Sequence, residues 1–301
     1  MSVLHAIKYI AKELPYILFA NRINARYLDI PAKRHHVNIF QYHPARFGYT
    51  LFQGNDINLG DSLGEIIVDF MLKRRGDGFS IETPTSKTKH LYCVGTNIQG
   101  AYQDATVWGA GIYPPQNQSQ IICQKLAKRK LDIRAVRGPL TRDVLENYGH
   151  KCPEVYGDPA ILMPLIYQAS VKKNKDLLVI PQFIGEQQFR EAHPDLPILS
   201  MNTNDYKKVI NEIVSSNLVI TSSLHGIILA ESYGVPAIFF RGLPKYKDFK
   251  YKDWYYSTGR YSVPLSDSFE EALEQTPPDL PVINELQQGL LDSFPYDLWD
   301  L

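Results

Sequence analysis

The sequence predicts an α/β fold, because short apolar segments rich in β-branched and aromatic residues alternate with helical patterns along most of the chain. Such alternation is typical of βαβ units with mostly parallel sheets. A chain of 301 residues also exceeds the usual size of a single core, so two domains are expected. The polar, lysine-rich stretch 168–176 has the composition of a linker, and it predicts domains 1–172 and 173–301.

The individual elements follow from these patterns in chain order. The predicted strands are 37–42, 91–94, 106–108, 133–136, 154–156, 177–180, 198–201, 218–221 and 237–240, and the predicted helices are 62–73, 139–148, 159–167, 205–214, 227–233 and 281–291. An amphipathic helical extension precedes them until Pro15 interrupts it, and it could pack on its own protein or rest on a membrane surface. The last helix could return to the first domain.

Composition excludes several classes of function. The 32 basic and 32 acidic residues balance, and the basic residues form no long stripe. The sequence therefore shows no basic surface of the kind that binds nucleic acid. The three cysteines, Cys93, Cys123 and Cys152, form no Cys-x-x-Cys pair and suggest a reducing compartment. Charged residues interrupt the apolar stretches, so we expect a cytoplasmic protein without a spanning helix. No metal-ligand spacing and no dinucleotide fingerprint are present.

The segment 218–241 carries the clearest functional signal. It predicts a buried strand, a loop reading Ser-Ser-Leu-His-Gly, a helix and a second strand. His225 therefore lies where a strand passes into a helix, and ligands of open α/β sheets bind beyond the carboxyl ends of strands. The small residues Ser223 and Gly226 leave space for a ligand. A helix-capping or core histidine is the alternative.

Three further motifs follow predicted strands or precede helices. Asp61 could cap the helix beginning at 62, or it could face a cleft as a proton-accepting carboxylate, with Asn58 beside it. Gly95 and Gly109 directly follow strands, where the backbone can approach a ligand. Asp158 precedes Pro159, and capping of the next helix explains it.

Two basic segments could hold anions or sugars. Arg137 ends a predicted strand beside Pro139, where an arginine can grip a phosphate or carboxylate bidentately; a surface ion pair is the alternative. The segment 241–256 interleaves lysines with aromatic residues and includes Arg241, Lys252 and Trp254. It could bind sugar rings, a lipid phosphate or single-stranded nucleic acid. A solvated loop with a packed aromatic underside is the alternative.

Taken together, the motifs at 58–61, 94–96, 107–111, 137–141, 157–159, 223–226 and 252–255 resemble the polysaccharide pyruvyl transferase family, in the same order along the chain. The resemblance implies two Rossmann-like domains arranged as in GT-B glycosyltransferases, with a cleft between an N-terminal acceptor side and a C-terminal donor side. It implies phosphoenolpyruvate as co-substrate, no cofactor and no metal. The acceptor would be a sugar of a cell-surface polysaccharide or its lipid-linked precursor, reached in the cytoplasm at the inner face of the membrane.

The resemblance also implies roles for individual residues. His225 as imidazolium would protonate the methylene carbon of the donor, and Asp61 would accept a proton from a sugar hydroxyl. The donor would contact Arg137, Ser223, Arg241 and Gly226, and the acceptor would contact Asn58, Gly95, Gly109, Trp254 and Lys252. One form of the family has arginine where this chain has Ser223, so Arg241, or Ser223 with the helix-start amides, would supply the missing contact.

Two other functions fit the same sequence. A GT-B glycosyltransferase would share the fold but bind a nucleotide sugar. A non-catalytic carbohydrate-binding protein would use the aromatic segment alone, which the presence of His225 and Arg137 argues against.

Overall fold

The computed structural model describes residues 33–40, 58–76, 78–100, 104–114, 124, 126–183, 185–242 and 248–301. The predicted N-terminal helix and Cys123 lie outside these residues. The described part is a mixed α/β structure whose two sheets are both parallel. This confirms the predicted class. No helix of this part has the length and apolar character needed to cross a membrane.

The first sheet contains four strands in chain order, β1 (Val37–Ile39), β2 (Lys89–Tyr92), β3 (Ala105–Trp108) and β4 (Leu131–Ala135). β3 is buried along its whole length, as expected for a parallel strand covered on both faces. The predicted strand 154–156 is wrong, because that segment contributes only an isolated bridge between Val136 and Tyr156. Since the strands are parallel, the loops after their carboxyl ends meet at one edge of the sheet.

The second sheet contains β5 (Lys175–Ile180), β6 (Ser216–Thr221) and β7 (Ala237–Phe239), again in chain order. The predicted strand 198–201 is also wrong, since it forms only a bridge from Ile198 to Val179. The lysine-rich stretch 168–176 lies between the two sheets in the sequence, and its last two residues already belong to β5.

The helices whose bounds both lie within the described residues are α1 (Leu59–Arg75), α2 (Pro139–Asn147), α3 (Met163–Ile166), α4 (Glu186–Ala192), α5 (Tyr206–Val214), α6 (Leu224–Ser232), α7 (Phe249–Ser257), α8 (Phe269–Leu273) and α9 (Asn284–Asp292). The predicted continuous helix 159–167 is instead a 3-10 turn, Pro159–Leu162, followed by α3. Pro164 lacks the N–H that an uninterrupted α-helix would bond to Ala160. The helix α7 replaces part of the predicted aromatic loop 241–256.

One continuous buried core contains residues of both sheets. Within it, the turn Pro159–Leu162 packs against both α1 and α6. This turn therefore connects the loop edge of the first sheet to the helix that follows β6.

The C-terminal segment packs on elements of the first sheet. The Trp108 indole Nε1 donates a hydrogen bond of 3.0 Å to the carbonyl of Leu290 in α9. The Tyr296 hydroxyl donates to the carbonyl of Met71 in α1, at 3.1 Å. The C-terminal segment thus contacts both β3 and α1.

Candidate active site

His225 lies in the first turn of α6, directly after β6. The hydroxyl of Ser223 caps this helix by accepting a hydrogen bond from the Gly226 amide at 3.3 Å. The His225 side chain is only 7% exposed, and its Nε2 atom has no hydrogen-bond partner within the described residues. A buried imidazole nitrogen without a partner is uncommon in a folded protein, so it is a candidate for contact with a substrate.

Gly60, in the first turn of α1, provides the space that the imidazole occupies. A Cβ atom added at Gly60 would lie 1.8 Å from His225 Nδ1, far inside any allowed contact. The Leu59 amide donates a hydrogen bond of 2.9 Å to the carbonyl of Met201, which attaches the start of α1 to the second half of the chain. Glycine is therefore required here by the imidazole of His225.

Asp158 faces His225 from the other side. Its Oδ2 atom lies 3.7 Å from His225 Nε2, and its side chain is fully buried. Oδ1 accepts a hydrogen bond from the Ala160 amide at 3.1 Å, and Oδ2 accepts one from the Gly95 amide at 3.4 Å. The predicted capping role of Asp158 is confirmed, but the same carboxylate also forms a pair with His225.

The carboxylate of Asp158 lies close enough to attract a protonated His225. Two opposite charges about 4 Å apart attract by about 4 kcal/mol at the effective dielectric of a protein. The N-terminus of α6 opposes a cation in its first turn by only about 0.3–2 kcal/mol. At this distance the attraction of the carboxylate for a charged imidazole exceeds the opposing effect of the helix dipole, and an imidazole beside a carboxylate is an arrangement suited to proton transfer.

Arg137 follows β4 and is fully buried, so the alternative of a surface ion pair is wrong. Its Nε donates to Asp253 Oδ2 at 3.0 Å, and its Nη1 donates to Thr96 Oγ1 at 2.6 Å. Nη2 has no partner within the described chain. The guanidinium group lies on Gly111, where an added Cβ would come within 2.4 Å of Nη2.

Two adjacent residues after β2 connect these groups. The Gly95 amide binds Asp158, which faces His225, and the Thr96 hydroxyl binds Arg137. The predicted catalytic histidine and the predicted anion-binding arginine are therefore brought together at the loop edge of the first sheet.

A family model described as polysaccharide pyruvyl transferase matches residues 58–242. The chain belongs to this family. The matched residues of this pyruvyl transferase family member include Gly60, Gly95, Arg137, Asp158 and His225. An uncharacterized protein of Acanthamoeba polyphaga mimivirus is 21% identical over 204 residues, which are 64% of this chain and 67% of the relative. A solved structure of an uncharacterized Klebsiella pneumoniae protein covers 72% of this chain and 91% of its own, with 15% identity and a TM-score of 0.46.

The structure of this polysaccharide pyruvyl transferase family member corrects the prediction for Trp254. Its indole is fully buried in α7, and Nε1 donates a hydrogen bond of 2.8 Å to Glu231 Oε2. It cannot stack on an acceptor sugar, because its ring faces are covered by the core. Glu231 also forms a bidentate pair with Arg260, at 2.6 and 2.7 Å.

Arg241 is also engaged elsewhere. Its guanidinium nitrogens bind the carboxylates of Asp248 and Asp267 and the carbonyl of Leu265. Every nitrogen of the group has a partner, so its expected contact with the donor would require breaking an ion pair. Lys252 is half-exposed, with its Nζ 3.8 Å from Asp248 Oδ2.

The start of α1 differs from the prediction, because the helix begins at Leu59 and Asn58 is its N-cap residue. Asp61 therefore lies inside the first turn and is not the capping residue. Its side chain lies outside the part of the chain that the structure describes.

The two predicted cleft-floor glycines adopt left-handed backbone conformations, with φ of 89° at Gly95 and 79° at Gly109. Gly109 lies against Pro159, where an added Cβ would come within 2.4 Å of the proline Cδ. Gly109 therefore supports the turn that carries Asp158. The sequence indicated only a capping role for Asp158 and did not reveal its position beside His225. The signal for this position was a third glycine with positive φ, Gly157, directly before it.

Proposed function

We propose that the protein transfers pyruvate from phosphoenolpyruvate to two hydroxyls of one sugar and forms a cyclic ketal. The acceptor would be a sugar of a cell-surface polysaccharide or of its lipid-linked precursor. The observation that carries this proposal is the buried His225–Asp158 pair, in which His225 Nε2 lies 3.7 Å from the carboxylate and has no hydrogen-bond partner within the described residues. The pair lies inside the segment that matches the family.

The proposed chemistry begins with proton transfer. Protonated His225 donates its Nε2 proton to the methylene carbon of the donor, which becomes a methyl group and leaves C2 electrophilic. Asp158 stabilises the imidazolium before transfer. The first sugar hydroxyl then adds to C2 and loses its proton to a base, for which Asp61 is the candidate.

Loss of phosphate and attack by the second hydroxyl complete the ketal. One of the two hydroxyl protons replaces the proton that moved from His225 to the methyl group, and the other leaves with the phosphate. Atoms and electrons therefore balance with no oxidant, reductant or cofactor beyond the donor and the acceptor.

Arg137 Nη2 and the start of α6 would hold the charged groups of the donor. The Ser223 hydroxyl accepts from Gly226, and no acceptor for its own hydrogen lies among the described residues, so it can donate to a phosphate or carboxylate oxygen. Ser223 would thus serve where one form of the family has arginine. This assignment does not need Arg241, whose nitrogens are bound to carboxylates.

We further propose that the two sheets are the cores of two Rossmann-like units in a GT-B-like arrangement, divided near residue 172. The acceptor would approach from Asn58, Gly95, Gly109 and Lys252, and a lipid-linked acceptor would place the protein at the inner face of the membrane. The support is the separation of the sheets in sequence, with β4 ending at Ala135 and β5 beginning at Lys175.

Ligand-dependent thermal unfolding tests the donor class. A ligand at a hundredfold excess over its Kd stabilises the folded state by about 2.7 kcal/mol, which raises the Tm by several degrees. We expect phosphoenolpyruvate to raise the Tm, and nucleotide sugars and nucleoside diphosphates to leave it unchanged. Arg137→Lys should weaken the shift, because lysine cannot reproduce the fixed Nη2 geometry.

Arg134→Gln is the matched control, since Arg134 lies in β4 shortly before Arg137 but pairs with Asp132 and Asp297 near the surface. It should retain the full shift. A shift with nucleotide sugars alone would replace the proposal with a glycosyltransferase. Binding of glycans without any donor would indicate a carbohydrate-binding protein.

A further inference from the structure

The helix α7 contains a buried carboxylate, Asp253, that lies beyond the residues matched by the family model. Both of its oxygens are engaged, and its side chain is fully buried. Oδ2 accepts from Arg137 Nε at 3.0 Å and from the Thr141 hydroxyl at 2.6 Å, while Oδ1 accepts from the Thr141 amide at 2.9 Å. Asp253 therefore connects α7 to the candidate donor site.

The turn before α2 is shaped to receive this carboxylate. Gly138 is the N-cap residue of α2, and it has no side chain with which to bond the first amides of the helix. Asp253 supplies the missing cap from another part of the chain, through the Thr141 amide. A Cβ added at Gly138 would lie 2.0 Å from the Asp253 carbonyl oxygen, so only glycine permits this approach.

The guanidinium group of Arg137 is consequently fixed on three sides. Asp253 holds Nε, Thr96 holds Nη1, and Gly111 lies against the planar face. Only Nη2 is left without a partner among the described residues. A nearby carboxylate alone would be enough to neutralise a buried arginine. The three contacts do more, because they also determine which guanidinium nitrogen stays unbound.

We propose that Asp253 is a positioning residue that directs Arg137 Nη2 toward an anionic group of phosphoenolpyruvate. This inference rests on the proposed function. Asp253 acts through Arg137 and has no contact of its own with the donor. The neighbouring Trp254 binds Glu231 of α6, so the same helix also contacts the helix that carries His225.

The direction in which Asp253→Asn changes the Kd for phosphoenolpyruvate distinguishes a positioning role from simple charge neutralisation. If Asp253 only neutralised charge, Asp253→Asn would leave Arg137 more positive and would tighten the binding of an anionic donor. If Asp253 positions the guanidinium, the substitution weakens binding, because a well-directed charge-assisted hydrogen bond is lost. We expect the Kd for phosphoenolpyruvate to rise about tenfold or more.

Calorimetric titration with phosphoenolpyruvate measures the Kd of the donor, and it needs no acceptor. Wild type, Asp253→Asn, Arg137→Gln and the double variant form a cycle, with Trp254→Phe as the control for loss of a different buried hydrogen bond in α7. Because Asp253 acts through Arg137, adding Asp253→Asn to Arg137→Gln should cause no further loss of affinity. Trp254→Phe should bind the donor with unchanged Kd.

The possible outcomes test the positioning role of Asp253 separately from the proposed transfer of pyruvate. Wild-type protein that fails to bind phosphoenolpyruvate overturns both. If wild type binds phosphoenolpyruvate and Asp253→Asn binds it equally or more tightly, only the positioning role is overturned. Full additivity of the two substitutions in the cycle has the same consequence. If Asp253→Asn does not fold, Asp253→Glu is measured in its place, because glutamate keeps the charge pair but displaces the guanidinium group. An unchanged Kd in Asp253→Glu would also overturn the positioning role.

Discussion

Gly60→Ala should impair catalysis by displacing His225 while leaving the protein folded. The new Cβ would begin 1.8 Å from Nδ1, whereas ordinary contacts begin at 3.4 Å, so the ring and the helix must separate by the difference, about 1.6 Å. A displacement of about 1 Å in a catalytic group can reduce the rate by about 10²-fold. We therefore expect a loss of at least that size.

The stability of this variant should change much less. Alanine is favoured over glycine within a helix by about 0.8–1 kcal/mol, and overpacking costs about 1–3 kcal/mol. These effects oppose each other, so the free energy of unfolding should fall by about 2 kcal/mol at most.

Phosphate release from phosphoenolpyruvate, measured with a glycan acceptor, reports the rate, and thermal unfolding reports the fold. Gly289→Ala is the control, because its Cβ would meet only Val155, at an ordinary contact distance of 3.4 Å. Wild-type turnover by Gly60→Ala would refute the assigned position of the imidazole.

Three further predictions concern single side chains. Asp158→Asn should reduce phosphate release by about 10²–10⁴-fold, because the amide cannot stabilise the imidazolium; an unchanged rate would remove Asp158 from the mechanism. Trp254→Phe should lower the free energy of unfolding, measured with denaturant, by about 1–3 kcal/mol, since Glu231 loses a donor. The KM of this variant for the acceptor should stay unchanged, and a raised KM would indicate that Trp254 contacts the sugar after all. Burial lowers the pKa of His90 from 6.5 to about 4. The unfolded chain therefore binds more protons between these values, and stability should fall as the pH drops from 6.5 toward 4. His90→Gln should reduce this pH dependence, and equal pH profiles would contradict the assignment.

The sequence predicted those features that depend on local pattern. Parallel strands have continuous apolar runs, and most of the predicted strands are present. The predicted position of His225 followed from a strand ending in two serines and a helix beginning directly after it. Neither the motif at 58–61 nor the motif at 223–226 indicated that the His225 imidazole would occupy the space beside Gly60.

The errors concern residues whose role depends on distant partners. The aromatic segment allowed a packed underside but did not indicate that Trp254 belongs to it, because its partner, Glu231, belongs to another helix. Arg137 and Asp253 are likewise far apart in sequence, so their pairing could not be read from either motif. Asp158 was explained by capping alone, since its second partner, His225, lies in a helix that follows a strand of the other sheet.

The most direct test of the mechanism is the reaction in D₂O with phosphoenolpyruvate and a glycan that carries free hydroxyl pairs. If protonated His225 delivers a solvent-derived proton to the methylene carbon, the product should be a ketal whose methyl group carries one deuterium, detectable by NMR. His225→Asn should form none. A product of the same mass that keeps an unlabelled methylene group would be an enolpyruvyl ether, and it would contradict ketal formation through this histidine.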